Sequence, residues 1–347
     1  MGVLFFDLWR YFRGLIKKNH SWIFLCNRYE RLLVEPDCIG VHCDWQWTSD
    51  LHAPKVFPFL GLCLMKRALE DYPIILSGDD RRPCKGLPPD VTFIIGHRGI
   101  ERLPLLLLTL QTIAAQIDVR LECIVVEQSV RQEISEVLPS WVRYVHTPLS
   151  HSAMPYCRSW AFNVGARLAR GHLLVLHDND LLIPQRYAIE HLLRQKDGYQ
   201  AINLKRFIFY ISEAHTNRIV SGVRLVLDEA PIAIMQNSEG GGSCVIQRDA
   251  FFAIGGFDEA FVGWGGEDNE FWDRAQTLKV YPYGYFPIIH LWHATQAGKG
   301  EVNGMGRQTA ELFERRMAIP CEQRIKELGK RDFGDPNKLD PPYVFKN

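Results

Sequence analysis

The feature that most constrains the fold is a regular alternation of short apolar runs and helical stretches between residues 91 and 176. Val91–Ile95 is an apolar run of strand type, and a Leu-rich helical stretch follows from Leu103 to Gln116. Further strand-type runs lie at 122–127, 141–146 and 172–176, and the range 201–211 is a candidate for one later strand. Strands that alternate with helices in this way form βαβ units with a parallel sheet. We therefore predict an α/β fold with a Rossmann-like, mostly parallel sheet flanked by helices.

Ligands of such sheets bind at the carboxyl ends of the strands, so the residues directly after each run are the candidates for chemistry. His97 and Arg98 follow the first run, and the sequence HDND at 177–180 follows the fourth. Arg158 begins the helical stretch before that fourth run. Its guanidinium could bind a phosphate or a base, or it could be an ordinary surface Arg.

Two carboxylates, Asp178 and Asp180, follow the apolar sequence LLVL. Carboxylates at positions i and i+2 of a strand-to-loop turn can converge on one divalent cation, and hard oxygen ligands suit Mg²⁺ or Mn²⁺. A solvated turn is the alternative interpretation. His293, in the sequence HLWH at 290–293, could complete a divalent site, although a single His is more often structural.

An aromatic side chain lies among glycines in the sequence GWGG at 263–266, which Glu267 and Asp268 follow. The helix dipole favours acids in a first helical turn, which explains the two carboxylates but not Trp264. A Trp beside carboxylates suits a sugar ring, because the C–H face of the sugar stacks on the indole and its hydroxyls bond the acids. We interpret this segment as a mobile sugar-binding loop.

Composition excludes several classes of function. Lys+Arg and Asp+Glu are both 40, so the chain has no overall basic field and we expect no nucleic-acid partner. The 9 cysteines are scattered without a C-x-x-C pair, which favours reduced thiols in the cytoplasm. No apolar run approaches the roughly 18 residues that cross a bilayer, and Asp7 and Arg10 interrupt the N-terminal run too early for a signal peptide.

Basic and aromatic residues alternate in the range 8–31, where only Glu30 is acidic. This pattern is typical of a helix on an anionic membrane surface. The alternative is a helix that packs on the main domain and exposes a basic face. We expect a cytoplasmic protein, either free or peripheral on the inner face of the membrane.

Five motifs occur in the order that GT-A type glycosyltransferases show. The chain resembles the β-1,4-galactosyltransferase family and the related bacterial family 2, polymerase-like enzymes over roughly 91–300. The motifs are VTFIIGHR at the first strand, RSWAFNVGARLARG, HDNDLLIP, GGGSCVIQRDAFFAIGGFDEAF and GWGGEDNEFWDR, and His293 closes the series. The implied organisation is an N-terminal extension at 1–88, a GT-A domain at 89–306, and C-terminal helices with a Pro-rich tail at 307–347.

The resemblance implies a role for each matched residue. The expected cation is Mn²⁺ or Mg²⁺, with Asp180 and His293 as direct ligands, His290 as a substitute, and Asp178 on the ribose or on a metal-bound water. The nucleotide-binding residues would be His97, Arg98 and Arg158. Trp264 would fold over donor and acceptor, Glu267 would bind acceptor hydroxyls, and Asp268 would be the general base.

The implied function is a metal-dependent, inverting glycosyltransferase that moves a sugar from a UDP-sugar to a hydroxyl of a glycan or lipid-linked glycan. The chain departs from the family where Gly96–Ile100 replaces the usual Pro-Phe-Arg-x-Arg. Ser238 stands where galactose-specific members have a Tyr, so the donor sugar is galactose, N-acetylgalactosamine or a similar sugar. The alternatives are a retaining enzyme, a sugar-nucleotide-forming nucleotidyltransferase and a non-catalytic sugar-binding protein.

Overall fold

The computed structural model describes residues 7–16, 20–36, 38–43, 49–78, 87–222, 224–236, 240–295 and 306–342. Ser238 lies outside this part of the chain. The helices within it are α1 (Leu8–Ile16), α2 (His52–Val56), α3 (Pro58–Asp71), α4 (Leu103–Ala114), α5 (Arg158–Leu168), α6 (Tyr187–Lys196), α7 (Glu213–Gly222), α8 (Arg248–Ala253), α9 (Glu267–Ala275), α10 (Arg307–Met317) and α11 (Cys321–Leu328).

The strands of the described residues form two larger sheets and one short pair, β1–β2. They are β1 (Leu32–Leu33), β2 (His42–Cys43), β3 (Ser49–Asp50), β4 (Val91–His97), β5 (Leu121–Ser129), β6 (Val142–Pro148), β7 (Leu173–His177), β8 (Leu181–Leu182), β9 (Ala201–Ile202), β10 (Lys205–Tyr210), β11 (Ala233–Gln236), β12 (Ser243–Gln247), β13 (Val280–Tyr281) and β14 (Phe286–His290).

The first sheet has the strand order β13-β9-β12-β7-β4-β5-β6 among the described residues. Strands β7, β4, β5 and β6 run parallel to one another, and β12 is antiparallel to both β7 and β9. Helices α4 and α5 connect parallel strands, as βαβ units require. The predicted fold class, a mostly parallel α/β sheet flanked by helices, is confirmed.

Both faces of the central strands β4 and β7 are buried, which explains why these strands are almost continuously apolar in the sequence. Phe93 and Ile95 of β4 belong to the larger apolar core, whereas Ile94 between them belongs to a second core on the opposite face. The second core also contains Trp160 and Phe162 of α5. Because neighbouring strand residues point to opposite faces, every position of β4 from Val91 to Ile95 is buried.

The second sheet has the order β3-β11-β10-β14-β8. The range 201–211, expected as one strand, is divided between the two sheets, because the chain leaves β9 of the first sheet and enters β10 of the second. The chain passes from the first sheet to the second at Asn203 and Leu204. Asn203 N–H donates to the Tyr281 carbonyl, and the Leu204 carbonyl accepts from Phe286 N–H, each over 2.8 Å.

The described residues before position 79 pack on this α/β body. Tyr11 and Trp22 are buried in the larger core, and the Trp22 indole N–H donates to Asp71 over 2.8 Å. Arg206 of β10 donates to the Ile23 carbonyl over 2.6 Å, which connects the N-terminal segment to the second sheet. The division into domains at residues 88 and 306 stays a prediction. Among the described residues, no helix combines the length and the apolar character that a membrane span requires.

Candidate active site

A cleft of about 640 Å³ lies at the carboxyl ends of β4 and β7, beside the end of β14. This is the edge of the sheet at which the sequence predicted ligand binding. The predicted site residues that line the cleft are Arg98, Arg158, Asp178, Asp180, Trp264, Glu267 and His293. His97 and Asp268 are not among the described residues that line it.

Asp180, His290 and His293 form a cluster in this cleft. Ligand atoms of the three side chains, one from each, lie within 4.8 Å of one another. Asp180 Oδ2 is 3.3 Å from His293 Nε2, and Asp180 Oδ1 is 3.8 Å from His290 Nε2. The structure therefore brings together a carboxylate and two imidazoles that lie more than 100 positions after it in the sequence.

Pairing between two short segments creates this cluster. Strand β14 pairs antiparallel with β8, and His290 is opposite Leu181 in the register. One residue further along, Leu291 N–H donates to the Asp180 carbonyl over 2.9 Å. Asp180 immediately precedes β8, so this pairing sets the carboxylate beside the histidines at the end of β14.

Burial and charge leave the cluster suited to a cation. Burial opposes ionisation of Asp180, but the neighbouring imidazoles and Arg102 outweigh it and hold the pKa of the carboxyl below its usual value. Burial lowers the pKa of His293, which favours the neutral, ligand form of its ring. Asp180 Oδ1 is buried without a hydrogen-bond partner among the described residues.

These donors fit a divalent metal ion. A buried carboxylate oxygen without a partner is costly unless a cation or proton satisfies it. One carboxylate and two imidazoles suit Mn²⁺, which accepts both oxygen and nitrogen ligands. His290, considered as a substitute for His293 in the sequence, lies in the cluster together with it.

Asp178 lies apart from this cluster. Arg158 Nε donates to Asp178 Oδ1 over 2.8 Å, and the other side of the same guanidinium lies 3.5 Å from Glu267 Oε1. Asp178 precedes the turn at 179–180, whereas Asp180 lies within it. Asp178 therefore holds Arg158 in the cleft, and it is not one of the residues that the structure gathers around Asp180.

His97 and Arg98 have different positions. His97 is fully buried, its Nδ1 accepts from the Asn179 side-chain amide over 2.9 Å, and burial lowers its pKa to about 4. It thus orients Asn179 instead of lining a base pocket. Arg98 lines the cleft and donates to the carbonyls of Met154 and Ser152.

Arg102 is the main site residue that the sequence analysis missed. Its guanidinium lies 3.2 Å from Asp180 Oδ2 and 2.6 Å from His293 Nδ1. The signal was available, since Arg102 lies in the loop after β4, at the same edge of the sheet as the other candidates. By contrast, Thr216 and Asn217 of α7 line the cleft without any sequence pattern that indicated them.

The glycines around Trp264 have positive φ angles, which glycine adopts more readily than any other residue. Gly263, Gly265 and Gly266 have φ angles of 100°, 95° and 90°, a region that other residues rarely adopt. Gly266 is the N-cap of α9. The carbonyl of Trp264 accepts from Gly306 N–H over 3.0 Å, which connects the loop to the start of α10.

The two acids at the start of α9 differ in environment. Glu267 faces the cleft, and burial raises its pKa to about 7, with a further increase from Asp268 and an opposing effect of Arg158. Its Oε2 is buried with no hydrogen-bond partner among the described residues. Asp268 is half-buried, and its Oδ1 accepts from Asn269 N–H over 2.8 Å.

Comparison with known proteins connects this site to a family. A family model described as the N-terminal domain of galactosyltransferase matches residues 223–284, which include β12, the Trp264 loop and the first turn of α9. Two curated relatives are β-1,4-galactosyltransferase 5 of Mus musculus, 23% identical over 256 residues, and that of Sus scrofa, 24% identical over 293 residues. These matches support a GT-A type glycosyltransferase. The predicted resemblance to the galactosyltransferase family is confirmed.

The chain aligns with only part of each relative. The alignments cover 59% and 68% of this chain, and 58% and 66% of the length of the mouse and pig proteins. Among solved structures, it is similar to a mannosyltransferase of Pyrobaculum calidifontis in complex with GDP-Man and Mn²⁺. That similarity has a TM-score of 0.39 and 18% identity, and it covers 84% of this chain and 76% of that one.

Proposed function

We propose that the protein is a metal-dependent, inverting glycosyltransferase that moves galactose, N-acetylgalactosamine or a similar sugar from a UDP-sugar to a hydroxyl of a glycan or lipid-linked glycan. One observation carries this proposal: the Asp180–His290–His293 cluster and the Trp264–Glu267 segment line the same cleft. The first suits a cation that holds a diphosphate, and the second suits a sugar. The galactosyltransferase matches include the second segment.

The cation would be Mn²⁺ or Mg²⁺, held by Asp180, His290 and His293. When bound, it would stabilise the negative charge that the diphosphate gains as the glycosidic bond breaks, an effect of several kcal/mol in enzymes of this kind. The chain itself holds the ligands in place: the Leu291–Asp180 backbone hydrogen bond fixes the carboxylate beside the imidazoles.

Three other side chains would position the donor and acceptor. Arg98 extends the positive charge of the cleft toward the nucleotide. Arg158 pairs with Asp178 and Glu267 on opposite sides of its guanidinium, so the three together form part of the cleft wall. Trp264 lines the cleft, where a sugar stacked on its ring would be shielded from water on that side.

The base is one of the two acids at the start of α9. We assign it to Asp268, with Glu267 binding acceptor hydroxyls, as the family motif implies. Glu267 is the rival candidate, because it lines the cleft and its pKa of about 7 suits proton transfer near neutral pH. In either case the base accepts the acceptor's hydroxyl proton while the oxygen attacks the anomeric carbon in line, which inverts the anomeric centre.

The test is UDP release from a panel of UDP-sugars, with and without Mn²⁺ and with simple glycosides as acceptors. We expect release that depends on Mn²⁺, and a product of inverted anomeric configuration by NMR. Retention of configuration would support the retaining alternative, and release of pyrophosphate from UTP and a sugar phosphate would support the nucleotidyltransferase. Binding of sugars without any turnover would leave a non-catalytic protein.

We also propose that the enzyme acts in the cytoplasm at the inner face of the membrane. The eight described cysteines are all free thiols, which suits a reducing compartment. On α1, Trp9 and Phe12 are 55% and 54% exposed and stack at 5.8 Å, and the Arg13 guanidinium lies 5.0 Å from the Trp9 ring. Exposed aromatics with adjacent basic groups are typical of helices at an anionic lipid surface.

A further inference from the structure

Arg102 occupies an unusual position for a cationic side chain, because it lies within the cluster that would bind a cation. It ends a short 3₁₀ turn, Ile100–Arg102, that connects β4 to α4. Its Nη1 lies 3.3 Å from Asn179 Oδ1 and 3.2 Å from Asp180 Oδ2, and its Nη2 lies 2.6 Å from His293 Nδ1. The guanidinium therefore contacts two of the three candidate metal ligands.

The hydrogen bond from Arg102 to His293 disfavours the tautomer of that ring that could bind a metal ion. His293 Nδ1 lies near Arg102 Nη2, which can only donate, and 2.9 Å from the Ala294 carbonyl, which can only accept. If the neutral ring accepts from Arg102, its proton lies on Nε2, which faces Asp180, and Nε2 has no lone pair for a metal. If Nδ1 donates to Ala294 instead, the Nε2 lone pair faces the cluster.

The contact of Arg102 with Asp180 opposes cation binding in a second way. A guanidinium that bonds Asp180 Oδ2 brings its positive charge to within a few ångströms of any cation on the same carboxylate, and the two charges repel each other. A bound cation and the observed position of Arg102 therefore oppose each other through both Asp180 and His293.

Arg102 differs in this respect from the other two arginines that line the cleft. Arg98 bonds backbone carbonyls, and Arg158 is held between Asp178 and Glu267, so a cation at Asp180 takes no partner from either. Arg102 alone of the three loses its carboxylate partner to the cation. A guanidinium freed in this way can form paired hydrogen bonds with phosphate oxygens in the same cleft.

We propose that Arg102 is an exchangeable counter-ion of the metal site, which pairs with Asp180 and His293 until the cation binds and then pairs with the diphosphate of the donor. The inference rests on the proposed function. It implies that the cation binds weakly alone and that cation and nucleotide bind cooperatively, since the nucleotide stabilises the displaced position of Arg102.

The experiment is calorimetric titration of the full chain with Mn²⁺ alone, and with UDP at saturating Mn²⁺. The variants are Arg102→Gln, Arg102→Lys, and Arg98→Gln as a control that removes the same charge from the same cleft. For Arg102→Gln we expect Mn²⁺ alone to bind fivefold to tenfold more tightly than to the wild type, and UDP to bind about tenfold more weakly. Arg102→Lys, which keeps the charge, should resemble the wild type in its affinity for Mn²⁺ alone.

Circular dichroism melting shows whether each variant is folded. If Arg102→Gln does not fold, the Mn²⁺ and UDP titrations of Arg102→Lys replace it. Unchanged or weaker Mn²⁺ binding in folded Arg102→Gln would overturn the proposal while leaving the proposed function in place. An equal gain of Mn²⁺ affinity in Arg98→Gln would also overturn it, because the effect would then be general electrostatics. If the wild type binds no Mn²⁺ even with UDP, the metal-dependent function itself fails, and this inference fails with it.

Discussion

The backbone N–H of Leu291 donates to the carbonyl of Asp180 over 2.9 Å, across 111 positions of the sequence. This hydrogen bond continues the antiparallel pairing of β14 with β8 and sets His290 and His293 beside the Asp180 carboxylate. The candidate metal site thus depends on the pairing of two distant segments within the second sheet and not on a single turn.

The first prediction separates the two aspartates. Asp180→Asn should lower the affinity for Mn²⁺ by at least tenfold and abolish Mn²⁺-dependent transfer, because Asp180 supplies the only carboxylate of the described cluster. The matched variant Asp178→Asn should retain Mn²⁺ binding, since Asp178 pairs with Arg158. Calorimetry with Mn²⁺ measures both, and an equal loss in Asp178→Asn would show that both aspartates contact the cation.

The second prediction concerns the base. Asp268→Asn should retain UDP-sugar binding and lose transfer by about 10²–10⁴-fold, the usual contribution of a general base. Glu267→Gln should mainly raise KM for the acceptor. Steady-state kinetics of the two variants distinguish these roles. The reverse pattern, with kcat lost in Glu267→Gln and kept in Asp268→Asn, would transfer the base assignment to Glu267.

The third prediction follows from the raised pKa of Glu267, about 7 in the folded protein against 4.5 for the ordinary side chain. The folded state holds this proton more tightly than the unfolded state. The resulting stabilisation is therefore complete below about pH 4.5 and is lost as the pH rises through 7. Between pH 5 and pH 8 the wild type should lose on the order of 2 kcal/mol of unfolding free energy relative to Glu267→Gln.

Urea denaturation of both proteins at several pH values in this range measures that difference. The difference in unfolding free energy between the two proteins should shift in favour of the variant as the pH rises. Parallel curves for the two proteins would show that Glu267 titrates near its ordinary pKa and that the carboxyl is solvated in solution.

The fourth prediction tests the membrane contact of α1. The double variant Trp9→Ser/Phe12→Ser should reduce binding to vesicles of anionic phospholipid by about tenfold or more, because both rings expose roughly half of their surface. Leu339→Ser, which removes an exposed apolar side chain near the other end of the chain, should bind as the wild type does. Sedimentation with anionic and with zwitterionic vesicles measures the effect, and equal binding of all three proteins would refute the contact.

Local sequence patterns predicted much of the fold. Val91–Ile95, expected as a strand, lies within β4, and the helical stretch from Leu103 to Gln116 corresponds closely to α4. These segments can be predicted from the sequence because a strand that is buried on both faces must be continuously apolar. The range 201–211, expected as one strand, forms the two strands β9 and β10. Its local pattern does not reveal that its two halves enter different sheets.

The candidate site was only partly predictable. Asp180, Trp264 and Glu267 stood out because their residue types are unusual at the ends of strands and among glycines. Arg102 did not, although it follows β4 at the same edge of the sheet, because its contacts with Asp180 and His293 are set by tertiary structure.

Sequence alone determined which segments become strands and which polar residues follow them, since burial and backbone geometry act over a few neighbouring positions. Tertiary structure decided which of those polar residues meet. It turned Asp178 toward Arg158, brought Asp180 beside two histidines at the end of β14, and set Arg102 against Asp180 and His293. The physical reason is that charge pairing and metal coordination operate over a few ångströms of space, and only the pairing of strands distant in the sequence sets those distances.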